Sequence, residues 1–237
     1  MHRTLDAARI VATVETLERR IAERFAGSGL SQVAAALSAE ARATADRAAA
    51  LNRPDVALRI GVGAVLTLGV AAQVYSATHI RLGPMQTDAL SLAQGLEAAF
   101  NLLAIFGAAI WFLLTLEERM KRRRVLARLH ELRSLAHVVD MHQLTKDPTI
   151  ILANLHRRTT HSPARPMSRF ELTRYLEYCS EMLALIGKLA ALYAEGNRDA
   201  VVIDAVNDIE SLATSLGRKI WQKITIIGQL EDSAERA

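Results

Sequence analysis

Two uncharged runs, Ile60–Ile80 and Ala98–Leu116, constrain this chain more than anything else in it. Each is about 20 residues long, the length that carries an α-helix of about 1.5 Å rise per residue through a hydrocarbon core of about 30 Å. Arg59 and Arg81 bound the first run; Glu97 and the pair Glu117-Glu118 bound the second. The plainer alternative is a pair of core helices, yet a chain of 237 residues leaves little protein to wrap two of them. The expectation is therefore two transmembrane helices, at residues 60–80 and 97–116, joined by a short turn containing Gly83-Pro84 and Asp88. Neither run reads as a secretory signal, because a long polar, patterned segment precedes the first.

Basic residues give such a hairpin its orientation. Arg42, Arg47, Arg53 and Arg59 precede the first run, and Arg119, Lys121, Arg122, Arg123, Arg124 and Arg128 follow the second, whereas the linker holds only Arg81. By the positive-inside rule both termini then lie in the cytoplasm, in a multi-pass protein of the bacterial plasma (inner) membrane. The bacterial assignment comes from the excess of Arg over Lys and the abundance of Ala. The run Arg119–Arg124 together with Arg128 is an expected contact for anionic lipid headgroups, each basic residue near the leaflet adding about 1 kcal/mol. Without interleaved aromatic residues it does not read as a nucleic-acid surface. The single cysteine, Cys179, suits a reducing compartment and falls on an apolar helix face, where a small buried hydrophobe is expected.

Helical stripes organise the remainder. Ile10, Val14, Leu17 and Ile21 recur at four, three and four, with Thr4 as a plausible N-cap. Gly27-Ser28-Gly29 breaks this helix, and Leu30, Val33 and Leu37 open another with an Ala-rich continuation, so residues 1–57 read as a helical hairpin. Its seam resembles a coiled coil over about two heptads, fewer than such a structure needs. Residues 58–117 are the two-helix anchor, entered at Pro54. Residues 118–237 read as an antiparallel helical bundle. Its stripes are Val125, Leu129, Leu132, Ala136 and Val139; then Leu172, Leu176, Cys179, Leu183, Ile186, Ala190 and Tyr193; then Val202, Val206, Ile209, Ala213, Leu216, Ile220, Ile224 and Ile227. Ser168-Arg169-Phe170-Glu171 has the spacing of a capping box. Between the first two stripes, Asp147-Pro148 starts a short helix with Ile150, Ile151, Leu152 and Leu155. The fold class is thus an all-α membrane protein with a cytoplasmic hairpin and a C-terminal bundle.

Signatures of catalysis are missing: there is no phosphate-binding glycine loop, nucleophile elbow or His-Glu-x-x-His. His137 and Asp140 sit three apart on one helical face near His130 and His142, a spacing that suits a metal or a proton relay. The blander reading is polar residues on a surface helix, and the acidic residues Glu171, Glu177, Glu181, Asp204 and Asp208 do not insist on completing a site. Gln73 and Asn101, one in each apolar run, are expected to hydrogen-bond to each other or to a neighbouring copy, since unpaired amides are costly in hydrocarbon. The second basic stretch, His156-Arg157-Arg158, reads as a solvated linker beside Thr159, Thr160 and Ser162.

Leu132–Pro148, Phe170–Tyr193 and Arg218–Lys223 resemble a bacterial family of uncharacterised two-span membrane proteins, a likeness that extends to the N-terminal hairpin. The resemblance implies a fold and a location but no activity, and it draws attention to His137, Asp140, His142, Tyr175, Tyr178 and Cys179 without giving them roles. The expected function is that of a membrane-anchored, non-enzymatic scaffold or sensor-type interaction protein acting through helix faces. It is expected to form homo-oligomers, on a lipid bilayer with anionic headgroups, with no cofactor. The alternative is an oligomeric channel or transport accessory subunit built from the hairpins.

Overall fold

The computed structural model describes residues 5–51, 55–79, 89–146, 167–195, 197 and 199–235. Among these residues every regular element is a helix: α1 (Ala7–Arg24), α2 (Gly29–Leu51), α3 (Val56–His79), α4 (Ala89–Leu144), α5 (Arg169–Ala194) and α6 (Ala200–Glu235).

Among the described residues no helix is long and apolar enough to cross a membrane. This overturns the two-span anchor, the membrane class of fold and the multi-pass inner-membrane location expected from the sequence. The side chains of Gln73, Ala98, Ala99 and Leu102, and the whole of Ile80, lie outside the described residues, and the described stretch of each run is shorter than a span needs. The turn at Gly83-Pro84 and Asp88, the helix start at Pro54, the short helix after Asp147-Pro148 and the stretch His156–Ser162 lie outside the described residues.

The chain divides into two compact units. One comprises residues 1–52 and 124–237, the other residues 53–123. In the first, α1 begins on Asp6, whose carboxylate accepts from the Arg9 backbone N–H at 3.2 Å. That cap, rather than Thr4, opens the helix, because Asp6 stands directly before the first helical residue. Ile10, Val14, Leu17 and Ile21 form its buried stripe as expected. The reversal into α2 passes through Gly27 at φ +67°, a left-handed conformation in which a side chain is strained. Ser28 then caps α2 by accepting from the Ser31 N–H at 3.2 Å.

Helix α5 is the centre of this unit. Its capping box forms as the sequence predicts: the Glu171 N–H donates to Ser168 Oγ, and the Ser168 N–H donates back to the Glu171 carboxylate at 2.7 Å. Beyond the expected stripe, Tyr175, Tyr178, Met182, Leu185, Leu189 and Leu192 are also buried. A helix apolar on nearly all sides needs neighbours on all sides. α1, α2 and α6 supply them, and the α4 stripe Val125, Leu129, Leu132, Ala136 and Val139 is buried in the same core. At roughly 1.5–3 kcal/mol for each large apolar side chain buried, this one helix brings more stabilisation than any other element.

A tight contact locks the α1–α2 reversal to the end of α4. A Cβ added at Gly29 would lie 2.6 Å from the His142 ring. We therefore expect Gly29→Ala to lower unfolding free energy by about 1–3 kcal/mol, as overpacking does. Adding His142→Ala should restore most of it. Urea unfolding of both variants reads the difference, and an unchanged midpoint in the single variant would remove the packing role.

Candidate functional site

Two features stand out among the described residues: a buried polar node in the five-helix unit, and an uncovered apolar surface on the α3–α4 pair.

The node forms where the α4 stripe runs out. Gln143 lies one helical step beyond Leu132, Ala136 and Val139 on the same face, so its amide is carried into the core at 2% exposure. Its Nε2 donates to Asp140 Oδ1 at 2.6 Å, while its Oε1 accepts from Lys223 Nζ of α6 at 2.6 Å. The same ammonium donates to the Gln143 backbone carbonyl at 3.0 Å, satisfying an acceptor in the last turn of α4. The amide thus lies between a carboxylate and an ammonium with its dipole suited to both. Alongside, the Tyr175 hydroxyl lies 3.5 Å from His142 Nδ1, and the Lys146 ammonium sits 4.8 Å over the Tyr175 ring.

Burial disfavours the ionised forms of Cys179 and Tyr175 in this node. Burial pushes the Cys179 thiol up to about 12, against the smaller opposing pull of the Lys146 and Lys223 cations, so the thiol stays protonated. Burial likewise raises the Tyr175 phenol, with Cys179 adding to the shift. Lys223 Nζ is engaged by two oxygen acceptors. The arrangement anchors the end of α4 to α6.

In the other unit Glu117 ties α3 to α4. Its carboxylate accepts from Arg59 Nε at 2.8 Å, from Lys121 Nζ at 2.9 Å and from the Asp55 backbone N–H at 3.2 Å. Asp55 itself caps α3 through the Leu58 N–H. The bond from Arg59 and then that from Lys121 hold the Glu117 carboxyl down at about 2. A depressed carboxyl pKa stabilises fully above the ordinary value of 4.5, and the contribution is lost as pH falls towards 2. An NMR titration of the Glu117 carboxyl should therefore show it ionised at pH 3.5; a midpoint near 4.5 would dissolve the tie. Farther along, Phe106 packs where a Cβ on Gly69 would stand 3.2 Å from its ring.

Among the described residues of the pair, many large apolar side chains are exposed. Ile60, Leu68, Phe100, Leu103, Ile105 and Trp111 are each 68–72% exposed. Val56, Val65, Val74, Tyr75, Phe112 and Leu114 are at least half exposed as well. Together they present on the order of 1,000 Å² of apolar surface distributed around the two helices.

The residues that the sequence singles out meet different fates. His137 is exposed on α4, while Asp140 is engaged by Gln143 rather than by a histidine. Among the described residues no group of three or more His, Cys, Asp or Glu is placed to hold a metal ion. Asn101 is exposed; the Gln73 side chain, and with it the expected amide pair, lies outside the described residues. Within the basic run, Arg119 stacks 5.5 Å from the Phe112 ring centroid, Lys121 pairs with Glu117, and Arg128 grips Glu131 through contacts of 2.7 and 3.0 Å. Arg122, Arg123 and Arg124 complete it, Arg123 and Arg124 exposed. Sequence reasoning passes over Gln143 and Lys223, although Gln143 falls on the apolar spacing of α4 and Lys223 lies among Ile220, Ile224 and Ile227 on α6. A polar residue in register with a buried stripe is the available signal.

Comparison with protein-family models, with curated proteins and with solved structures found no match.

Proposed function

We propose that the protein is a non-enzymatic interaction protein that assembles with further copies of itself through α3 and α4, leaving the helix faces of the five-helix unit to other partners. The observation that carries this reading is the uncovered apolar surface of the α3–α4 pair, where side chains such as Leu68, Leu103 and Ile105 are about 70% exposed. Surface of that extent rimmed by charge marks an interaction site. A second copy is the economical cover, because a two-fold contact hides the same patch on both chains. The protonated Cys179 and the fixed Lys223 support a role without covalent chemistry.

Light scattering of the purified chain over a hundredfold range of concentration tests this: a dimer or larger assembly that dissociates on dilution is the expected result. A monodisperse monomer throughout would overturn it. A lipid surface is the competing cover, favoured by the basic run Arg119–Arg124 beside Trp111 and Phe112. Flotation of a monomeric chain with anionic vesicles, but not with neutral ones, would replace the second copy with that surface.

A further inference from the structure

We infer that the second copy lies antiparallel to the first, α4 against α4, with Ala108 of each chain receiving Trp111 of the other. This rests on the self-association proposed above and specifies its geometry. The Phe106 ring is turned onto Gly69 of α3. Ala104 and Ala108, two residues to either side of it, therefore lie about 200° round the helix, on the far face. That face carries a regular seam. From Glu97 the steps alternate four and three, through Asn101, Ala104, Ala108, Trp111 and Thr115, and continue to Glu118 and Arg122. Such spacing is the repeat by which two helices keep one line of contact. Glu97, Asn101, Ala104, Ala108, Trp111 and Glu118 are all exposed.

Charge and size choose the direction. In a parallel pair in register, Glu97 would oppose Glu97, Arg122 would oppose Arg122, and two indoles would compete for one layer. In an antiparallel pair each of these conflicts becomes complementary. Glu97 faces Arg122, and the Asn101 amide faces the Glu118 carboxylate as donor to acceptor. Trp111, 68% exposed, fills the space left by Ala108, and Ala104 lies against Thr115. The Thr115 hydroxyl already donates to the Trp111 carbonyl at 3.0 Å, so it needs no partner across the seam. Small residues opposite large ones let helix axes approach closely.

Disulfide mapping tests the direction separately from the assembly itself. In a Cys179→Ala background, Ala104→Cys and Thr115→Cys chains are purified singly, mixed and oxidised. The expected product is a mixed disulfide formed only after mixing. If light scattering shows a dimer but Ala104→Cys cross-links to itself and not to Thr115→Cys, the antiparallel geometry is overturned while self-association stands. A chain that stays monomeric overturns both. Charge exchange supplies a second readout that does not depend on cysteine chemistry. Glu97→Arg should raise the dimer dissociation constant about tenfold by placing like charges together, and Glu97→Arg with Arg122→Glu should recover most of the loss. No weakening by the single change, or no recovery in the double, would also overturn the proposed pairing.

Discussion

Lys223→Met lowers the unfolding free energy by about 2–4 kcal/mol, because it removes both hydrogen bonds to Gln143 and leaves a buried amide and a helix-end carbonyl short of a donor. Shape alone would not produce such a loss, since Met follows the lysine stem closely. Gln143→Leu alone should also be harmful, as it removes the amide oxygen that accepts from Lys223 and the donor to Asp140, leaving the residue-143 carbonyl to receive the ammonium. The double variant Gln143→Leu/Lys223→Met removes both members of the pair and should recover about half of the loss or more. Chemical denaturation of the four chains closes a double-mutant cycle, and a coupling energy below about 0.5 kcal/mol would show that the node does not act as a unit.

The second large effect is expected on assembly with little change in stability. Replacing Phe100, Ile105 and Trp111 together by Gln should weaken self-association by at least about 100-fold, from the loss of about 1 kcal/mol or more for each side chain no longer buried between copies. Because the three are about 70% exposed within one chain, the thermal midpoint of the diluted monomer should stay within a few degrees of the parent. Leu183→Ala provides the contrast. Leu183 is fully buried in α5, so the change should cost about 2–5 kcal/mol of stability while leaving assembly in place. Sedimentation equilibrium paired with calorimetry separates the two outcomes. Unchanged association in the triple variant would remove α4 as the contact surface.

How far the fold is legible in the sequence differs from element to element. The stripes of α1, α4 and α6 lie in the core at the residues their spacing indicates, with only Ile224 half-buried. Local chemistry is equally readable at Ser168 and Glu171, whose reciprocal bonds depend on residues three apart. At the start of α1, Asp6 displaces Thr4 because capping depends on which residue directly precedes the first turn. In α5 the spacing shows one stripe where the structure buries two. The second set, Tyr175, Tyr178, Met182 and Leu189, resembles surface in the sequence because spacing gives no sign of the neighbours that cover it. The failure at Ile60–Ile80 and Ala98–Leu116 is of another kind. The described stretch of each run is shorter than a span needs, with the side chains of Gln73, Ala98, Ala99 and Leu102 outside it.

Alone, the order of residues determined that this chain is helical, where most helices start and stop, and which side of each is apolar. Those are properties of neighbours within one or two turns, and backbone geometry imposes them directly. Only the tertiary structure decided that the N-terminal helices surround α5 together with the C-terminal ones, that Gln143 and Lys223 meet, and that side chains such as Leu68, Phe100, Leu103 and Trp111 are left exposed. Each of these joins or separates residues far apart in the chain, and no periodicity within a single helix specifies which partner its apolar face will find.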